Sequence, residues 1–293
     1  MMAKVSNMLK GAVELHAHSA PSIFPRKQTD WELVEDAKKA EMYGIVIKAH
    51  EGVSYDRAAL LQEKNPEIKV FGGLVCNDFV GGLNVNAVDL ALKMGARIIW
   101  MPTLSSSRHK KYFKENKKEN ILNPKKRMNN SENTISIFDG KKIKDSVKHI
   151  LDLIAKNNRV LATGHLSSED SYQLVLEAKK IGVQKILIQH VDLGISPYSL
   201  EEQKQLVKEG CYLEKCYLAC SDDFKDIKIQ DMAESIHTLG SSNCVLVTDY
   251  GQEHHIPVVE AMNSFVNKLT EVGISNQDIN KMIVRNPKYL LEG

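Results

Sequence analysis

Over most of its 293 residues the chain alternates between short continuous apolar runs and segments of helical periodicity. No other feature constrains the fold as strongly. Runs such as Ile45–Ala49 (IVIKA), Lys185–Ile188 (KILI) and Cys244–Thr248 (CVLVT) show no apolar–polar alternation. A strand that is apolar throughout is covered on both faces, as parallel strands flanked by helices are. Eight strands are expected: Val13–Leu15, Ile45–Ala49, Lys69–Val75, Arg97–Trp100, Arg159–Thr163, Lys185–Ile188, Cys211–Glu214 and Cys244–Thr248. Each is followed by a helical pattern, most of them closed by Gly or Asn-Pro: Trp31–Tyr43 by Gly44, Tyr55–Lys64 by Asn65-Pro66, Ser168–Ile181 by Gly182. Ser275 is expected to cap a last short helix ending before Asn286-Pro287. The count predicts an α/β protein built as a closed (β/α)8 barrel, which typically takes about 250 residues. An open doubly wound sheet is disfavoured, because no Gly-x-Gly-x-x-Gly loop follows any strand.

One segment breaks the alternation. From Leu104 to about Asp145 the chain is rich in Lys, Asn and Ser. Asp139-Gly140 lies there between two β-type runs, which is a hairpin signal. The reading is therefore one barrel domain over 1–293 with a structured, lid-like insertion at about 104–145, its lysines forming a solvated face.

Composition narrows the partners. Thirty-nine basic against 37 acidic residues leave a net charge of +2, which offers no general attraction to nucleic acid or to an anionic membrane. Five cysteines make an odd number with no disulfide-scaffold pattern, as suits a reducing cytoplasm. Cys211, Cys216 and Cys220 form C-x4-C-x3-C, which is not a zinc-ribbon spacing and reads as ordinary buried thiols. The N-terminal MMAKVSNMLKGAVELHAHSA lacks the apolar core of a secretion signal, and no run reaches the 18 or so apolar residues of a membrane span. A cytoplasmic protein is expected, with helix faces compatible with a monomer or a homo-oligomer.

Barrels of this kind carry their chemistry at the C-terminal ends of the strands. Strand one ends in His16 and His18, which share a face because they are two residues apart, so two imidazoles can serve one cation. Strand two ends in Lys48 and His50, strand five in Thr163-Gly164-His165 and strand six in Gln189-His190. Strand seven ends in Glu214 and strand eight in Thr248-Asp249. Each has a plain structural reading: a hydrogen-bonded histidine, a turn-capping Asp249, a buried Glu214–Lys48 ion pair. Together they place five of the chain's ten histidines at one end of the barrel, and that points to a metal centre. His109, His254 and His255 read as surface loop residues, and His149 and His237 as structural helix residues. Arg26, in the SIFPRK loop after strand one, is a candidate with Lys48 for an anionic group on a small-molecule substrate.

The order HxH, His, His, Asp after strands one, five, six and eight resembles the metal-ligand order of the amidohydrolase superfamily. ELHAHSAPSIFPR, ATGHLSSED, IQHVD and TDYGQ are similar to an uncharacterised amidohydrolase-like branch, from about Glu14 to the terminal NPKYLL. The resemblance implies a distorted TIM barrel with one or two divalent metals, usually zinc, with Mn or Fe as substitutes, and a metal-activated hydroxide as nucleophile. It implies that His16, His18 and Asp249 hold the more buried metal and that His165 and His190 hold a second or bind substrate. Asp249 is then also the catalytic proton acceptor. One departure stands out: strand four ends in Trp100-Met101-Pro102-Thr103, without the Lys or Glu that bridges two metals. One metal, or a weaker second, is expected, with Arg26, Lys48, His50 and Glu214 as substrate contacts. The expected activity is hydrolysis of a cyclic amide, lactone or related carbonyl compound. Phosphoesterase or decarboxylase chemistry on the same barrel is the alternative, and a non-catalytic binding barrel would have no use for Asp249.

Overall fold

The computed structural model describes residues 7–116 and 134–293. Its barrel strands are β1 (Val13–Ala17), β2 (Gly44–Ile47), β3 (Lys69–Phe71 and Gly73–Val75), β4 (Ile98–Trp100), β5 (Val160–Ala162), β6 (Lys185–Ile188), β7 (Tyr212–Cys216) and β8 (Cys244–Val247). Neighbours in sequence pair in parallel, from β1 with β2 through to β7 with β8. The circle closes at the strand ends, where Asp249 N–H donates to His16 O and His18 N–H to Tyr250 O, both at 2.9 Å. β3 is interrupted at Gly72, where the loop after β2 packs in: a Cβ on Gly72 would lie 2.3 Å from Ser54 O.

The helices are α1 (Asp30–Lys39), α2 (Tyr55–Lys64), α3 (Val85–Lys93), α4 (Ser107–Glu115), α5 (Asp145–Lys156), α6 (Ser168–Ile181), α7 (Leu200–Lys208), α8 (Ile229–Leu239) and α9 (Val258–Glu271). Thr29 with Glu32 and Ser199 with Glu202 form capping boxes that start α1 and α7. Each helix turns one apolar stripe to the barrel. On α5 that stripe is Val147, Ile150, Leu151 and Ile154, all buried. Burying one such side chain contributes about 1.5–3 kcal/mol. On β1 the apolar Val13, Leu15 and Ala17 join this layer. Glu14 and His16, on the other face of the strand, meet the polar side chains of the remaining strand ends.

One expectation changes. The helix capped by Ser275 does not stop before Asn286-Pro287. α10 (Asn276–Asn280) passes through a π-helical turn, Lys281–Arg285, into α11 (Asn286–Glu292). Pro287 sits in the first turn of α11, directly after the π-helical turn, where the regular i→i−4 ladder is already broken. The Lys/Asn-rich segment begins as a helix, α4, and residues 117–133 of it lie outside the described residues. Further on, Phe138–Asp139 pairs antiparallel with Lys142–Ile143 around Gly140, as its hairpin signal indicated. α4 runs toward the loops after β6 and β7: Arg108 donates to Ile195 O (2.7 Å) and Gly194 O (3.0 Å), and Tyr112 OH lies 3.4 Å from Asp226 Oδ2. Among the described residues no helix is long and apolar enough to cross a membrane.

Candidate metal centre

The strand ends bring His16, His18 and Asp249 to one point. His16 Nε2 lies 2.9 Å and His18 Nε2 3.0 Å from the same oxygen, Asp249 Oδ1. All three residues are buried. The other nitrogen of each ring is anchored, His16 Nδ1 by Glu214 Oε2 at 3.1 Å and His18 Nδ1 by Lys48 O at 2.8 Å. A histidine held through Nδ1 by a carboxylate or carbonyl presents Nε2 as a fixed lone pair, the usual support of a metal-ligating imidazole.

Around this point stand Lys48, Glu214, Gln189 and His190. Lys48 Nζ is 3.0 Å from His16 Nε2 and 5.8 Å from the centre of the Trp100 ring, so β4 contributes an aromatic face where a bridging residue was missed. Glu214 turns inward: besides His16 it accepts Gln189 Nε2 at 3.0 Å. His190 Nδ1 is 3.4 Å from Glu214 Oε1 and 4.0 Å from Asp249 Oδ2. Neither ring nitrogen of His190 has a hydrogen-bond partner, although the residue is only 1% exposed.

A second arc of histidines lies beside the first. The His50 ring stacks on His18 with centres 4.6 Å apart, and its Nδ1 faces Thr103 Oγ1 at 3.0 Å. His165 packs edge-on against His190, and its Nδ1 lies 2.8 Å from His109 Nδ1. His109 therefore corrects its surface reading: it is buried on α4, stacked between His165 and Phe113. The signal was present, since His109, Tyr112 and Phe113 are spaced i, i+3, i+4 and form the buried stripe of α4. The surrounding lysines concealed it. His255 is half-buried rather than a surface residue. It shares Asp223 Oδ2 with the exposed His254, at 2.8 and 2.7 Å. Arg26 is half-buried near the mouth, its Nε donating to Ser22 Oγ at 3.2 Å and its guanidinium 5.3 Å from the Phe24 ring centre.

The backbone is held in uncommon conformations at this centre. His190 and Asp249 have φ of 60° and 56°, the left-handed region that non-glycine residues seldom adopt. Gly251 has φ 139°, and a Cβ there would lie 1.9 Å from His18 O.

Charge completes the picture. Burial opposes a proton on His16, but the carboxylates of Asp249 and Glu214 prevail and raise its pKa to about 9. Burial would raise Glu214, yet His16 draws it down to about 2, and Asp249 is held well below the usual carboxylate range by the same imidazole. Burial, reinforced by the Arg26 charge, lowers His18 to about 3, and burial lowers His190 to about 4. Burial also depresses His50, His165 and Lys48. Burial pushes the Cys216 thiol well up, helped by Asp249 and Glu214. Two ionised carboxylates thus surround one imidazolium, and the neighbouring imidazoles of His18, His50, His165 and His190 resist protonation. A divalent cation would supply the same positive charge. The donors fit one: buried imidazole and carboxylate atoms of His16, His18 and Asp249 lie within 4.8 Å of one another, as do those of His16, His190 and Glu214.

Residues 11–214 match the family of unknown function DUF6282, a match that ends before Asp249. No curated protein matches the sequence. The structure is similar to an amidohydrolase from Pseudomonas aeruginosa, with TM-score 0.66 and 13% identity over 97% of this chain and 96% of that one. It is similar to the lactonase Lmo2620 from Listeria monocytogenes, with TM-score 0.62 and 12% identity over 98% and 96%. A third likeness is to 2,6-dihydroxybenzoate decarboxylase from Rhizobium, with TM-score 0.56 and 9% identity over 97% and 99%. These likenesses show a shared fold, the (β/α)8 barrel. On that fold, and by its sequence, the chain belongs to the family DUF6282.

Proposed function

We propose that the protein is a metal-dependent hydrolase of a small carbonyl compound, a lactone or cyclic amide, with zinc as the metal. One observation carries the reading: two anchored imidazole nitrogens, His16 Nε2 and His18 Nε2, stand 2.9 and 3.0 Å from a single carboxylate oxygen. His16, His18 and Asp249 are the assigned ligands, with His190 and His165 on the adjoining side. A divalent cation held there would polarise a carbonyl and make water a nucleophile at neutral pH.

The chain's own residues do the rest. Asp249 takes the proton from the attacking water and returns it to the leaving group, which requires a carboxylate in hydrogen-bond reach. Glu214, having no exposed surface, serves by fixing His16 rather than by touching substrate. Lys48, beside His16, and His50, stacked on His18, are the assigned substrate contacts, with Arg26 from the loop after β1. A guanidinium beside the mouth suits a substrate with a carboxylate or phosphate group. The same feature is the specific support for a second reading, decarboxylation of a carboxylated substrate, an activity named for one of the structural relatives.

Elemental analysis followed by a screen of lactones, cyclic amides, phosphate esters and carboxylated aromatics, with and without Zn²⁺ or Mn²⁺, tests the proposal. Metal-dependent ring opening supports it. Turnover confined to release of carbon dioxide, or to phosphate esters, overturns it.

A further inference from the structure

We propose that Cys216 is a thiolate ligand in a second half of the metal centre, opposite His16 and His18. The inference rests on the reading that this cluster binds a divalent cation. Asp249 divides the cluster in two. Its Oδ1 faces His16 and His18, whereas its Oδ2 faces Cys216 Sγ at 3.9 Å and His190 Nδ1 at 4.0 Å. Ligand atoms of His190, Cys216 and Asp249 lie within 4.8 Å of one another, and all three residues are buried. Around a tetrahedral zinc, with bonds of about 2.0 Å to N and O and about 2.3 Å to S, such atoms are roughly 3.3–3.5 Å apart. Small side-chain adjustments close that difference.

Two independent features separate Cys216 from an ordinary buried thiol. The first is His190, whose buried nitrogens both lack a hydrogen-bond partner and one of which lies within 4.8 Å of the sulfur. A buried unpaired imidazole is costly unless something else engages it. The second is position. Cys216 is two residues beyond Glu214 on β7, on the same face, so the strand aims both at the cluster. Sγ makes only two long contacts, to Thr248 O at 3.7 Å and to Asp249 Oδ2 at 3.9 Å, both weak for a weak donor. Among the described residues no other cysteine lies in such a group of ligands.

On binding, the S–H proton leaves to solvent as the sulfur–metal bond forms, and no electron is transferred. A cation reverses the local charge that keeps the thiol protonated, and a coordinating thiol is deprotonated outright. Asp249 would link the two halves, taking the place of the bridging residue absent from β4. A thiolate also makes this half selective for Zn, Co or Cd over Mg or Ca.

Cobalt(II) titration of the metal-stripped protein decides the matter through two readouts, bound cobalt and near-ultraviolet thiolate-to-cobalt charge transfer. The wild type and Cys220→Ser are expected to develop the band. Cys216→Ser is expected to bind cobalt without it. Cobalt binding to the wild type with no band, or a band undiminished in Cys216→Ser, overturns the assignment. Absence of any bound cobalt overturns both this inference and the metal reading beneath it. Because the variant could fail to fold, X-ray absorption of the zinc-loaded wild type gives a second measurement. A zinc–sulfur distance of about 2.3 Å is expected, and a shell of N and O alone refutes the proposal.

Discussion

Glu14 and Thr248 meet across the seam where the last strand returns to the first: Glu14 Oε2 accepts the Thr248 amide at 3.0 Å, while Oε1 accepts the His16 amide at 2.8 Å. Burial raises the Glu14 pKa to about 8 against these donors. Glu14→Gln would set an NH₂ group against one of the two amides. We expect a loss of about 1–3 kcal/mol, the cost of a buried donor left unpaired, read as a lower urea midpoint on the alkaline side of the Glu14 pKa of about 8, where the carboxyl is ionised and accepts from both amides. An unchanged midpoint would mean that the carboxyl does not hold the seam.

Asp249→Asn tests the assigned proton acceptor. The amide keeps one oxygen toward His16 and His18 but cannot take a proton. Turnover of whichever substrate the screen identifies is expected to fall by about 10²–10⁴-fold, the usual worth of a positioned acid–base group. Bound metal, measured alongside, should be largely retained. Full activity in the variant would remove Asp249 from the chemistry.

Arg26→Ala separates anion recognition from scaffold effects. With an anionic substrate we expect KM to rise roughly tenfold or more, as for loss of a charge-assisted hydrogen bond, and kcat to change little. With a neutral analogue KM should not move. Equal effects on both substrates would indicate a disturbed loop instead.

Acid should unfold the metal-stripped protein earlier than its carboxylates alone would dictate. Burial, together with neighbouring positive charge, lowers His18 and His109 to about 3, and burial lowers His190 to about 4. The unfolded chain takes up protons on these rings near pH 6.5, which the folded chain refuses. Their contribution is therefore complete above about 6.5 and is lost as the pH falls through 4 to 3. Urea midpoints at successive pH values from 7 to 4 should decline, and less steeply in His109→Phe. A flat profile over that window would contradict buried neutral rings.

The barrel was legible because its strands are continuous apolar runs with polar residues gathered near their ends. Glu14 interrupts the first run and is the exception that marks the seam. The pairing of His16 with His18 followed from strand period, and Asp249 joined them through the resemblance in ligand order. His109 did not, because the lysines around it outweighed its stripe with Tyr112 and Phe113. Nor did the partnership of Cys216 with His190, since C-x4-C-x3-C directs attention to neighbours in sequence, whereas its companions come from β6 and the end of β8. The continuation past Pro287 was hidden by the rule that helices end before proline, which a π-helical turn circumvents.

The closure between β1 and β8 has a temporal consequence. Two of the three ligands, His16 and His18, lie within the first 18 residues, and the third, Asp249, is the 249th. A nascent chain, or a fragment ending before β8, still lacks the carboxylate that completes this centre. Competence for metal thus reports that both extremities of the barrel have come together, and a cation supplied during refolding would reward only the completed ring.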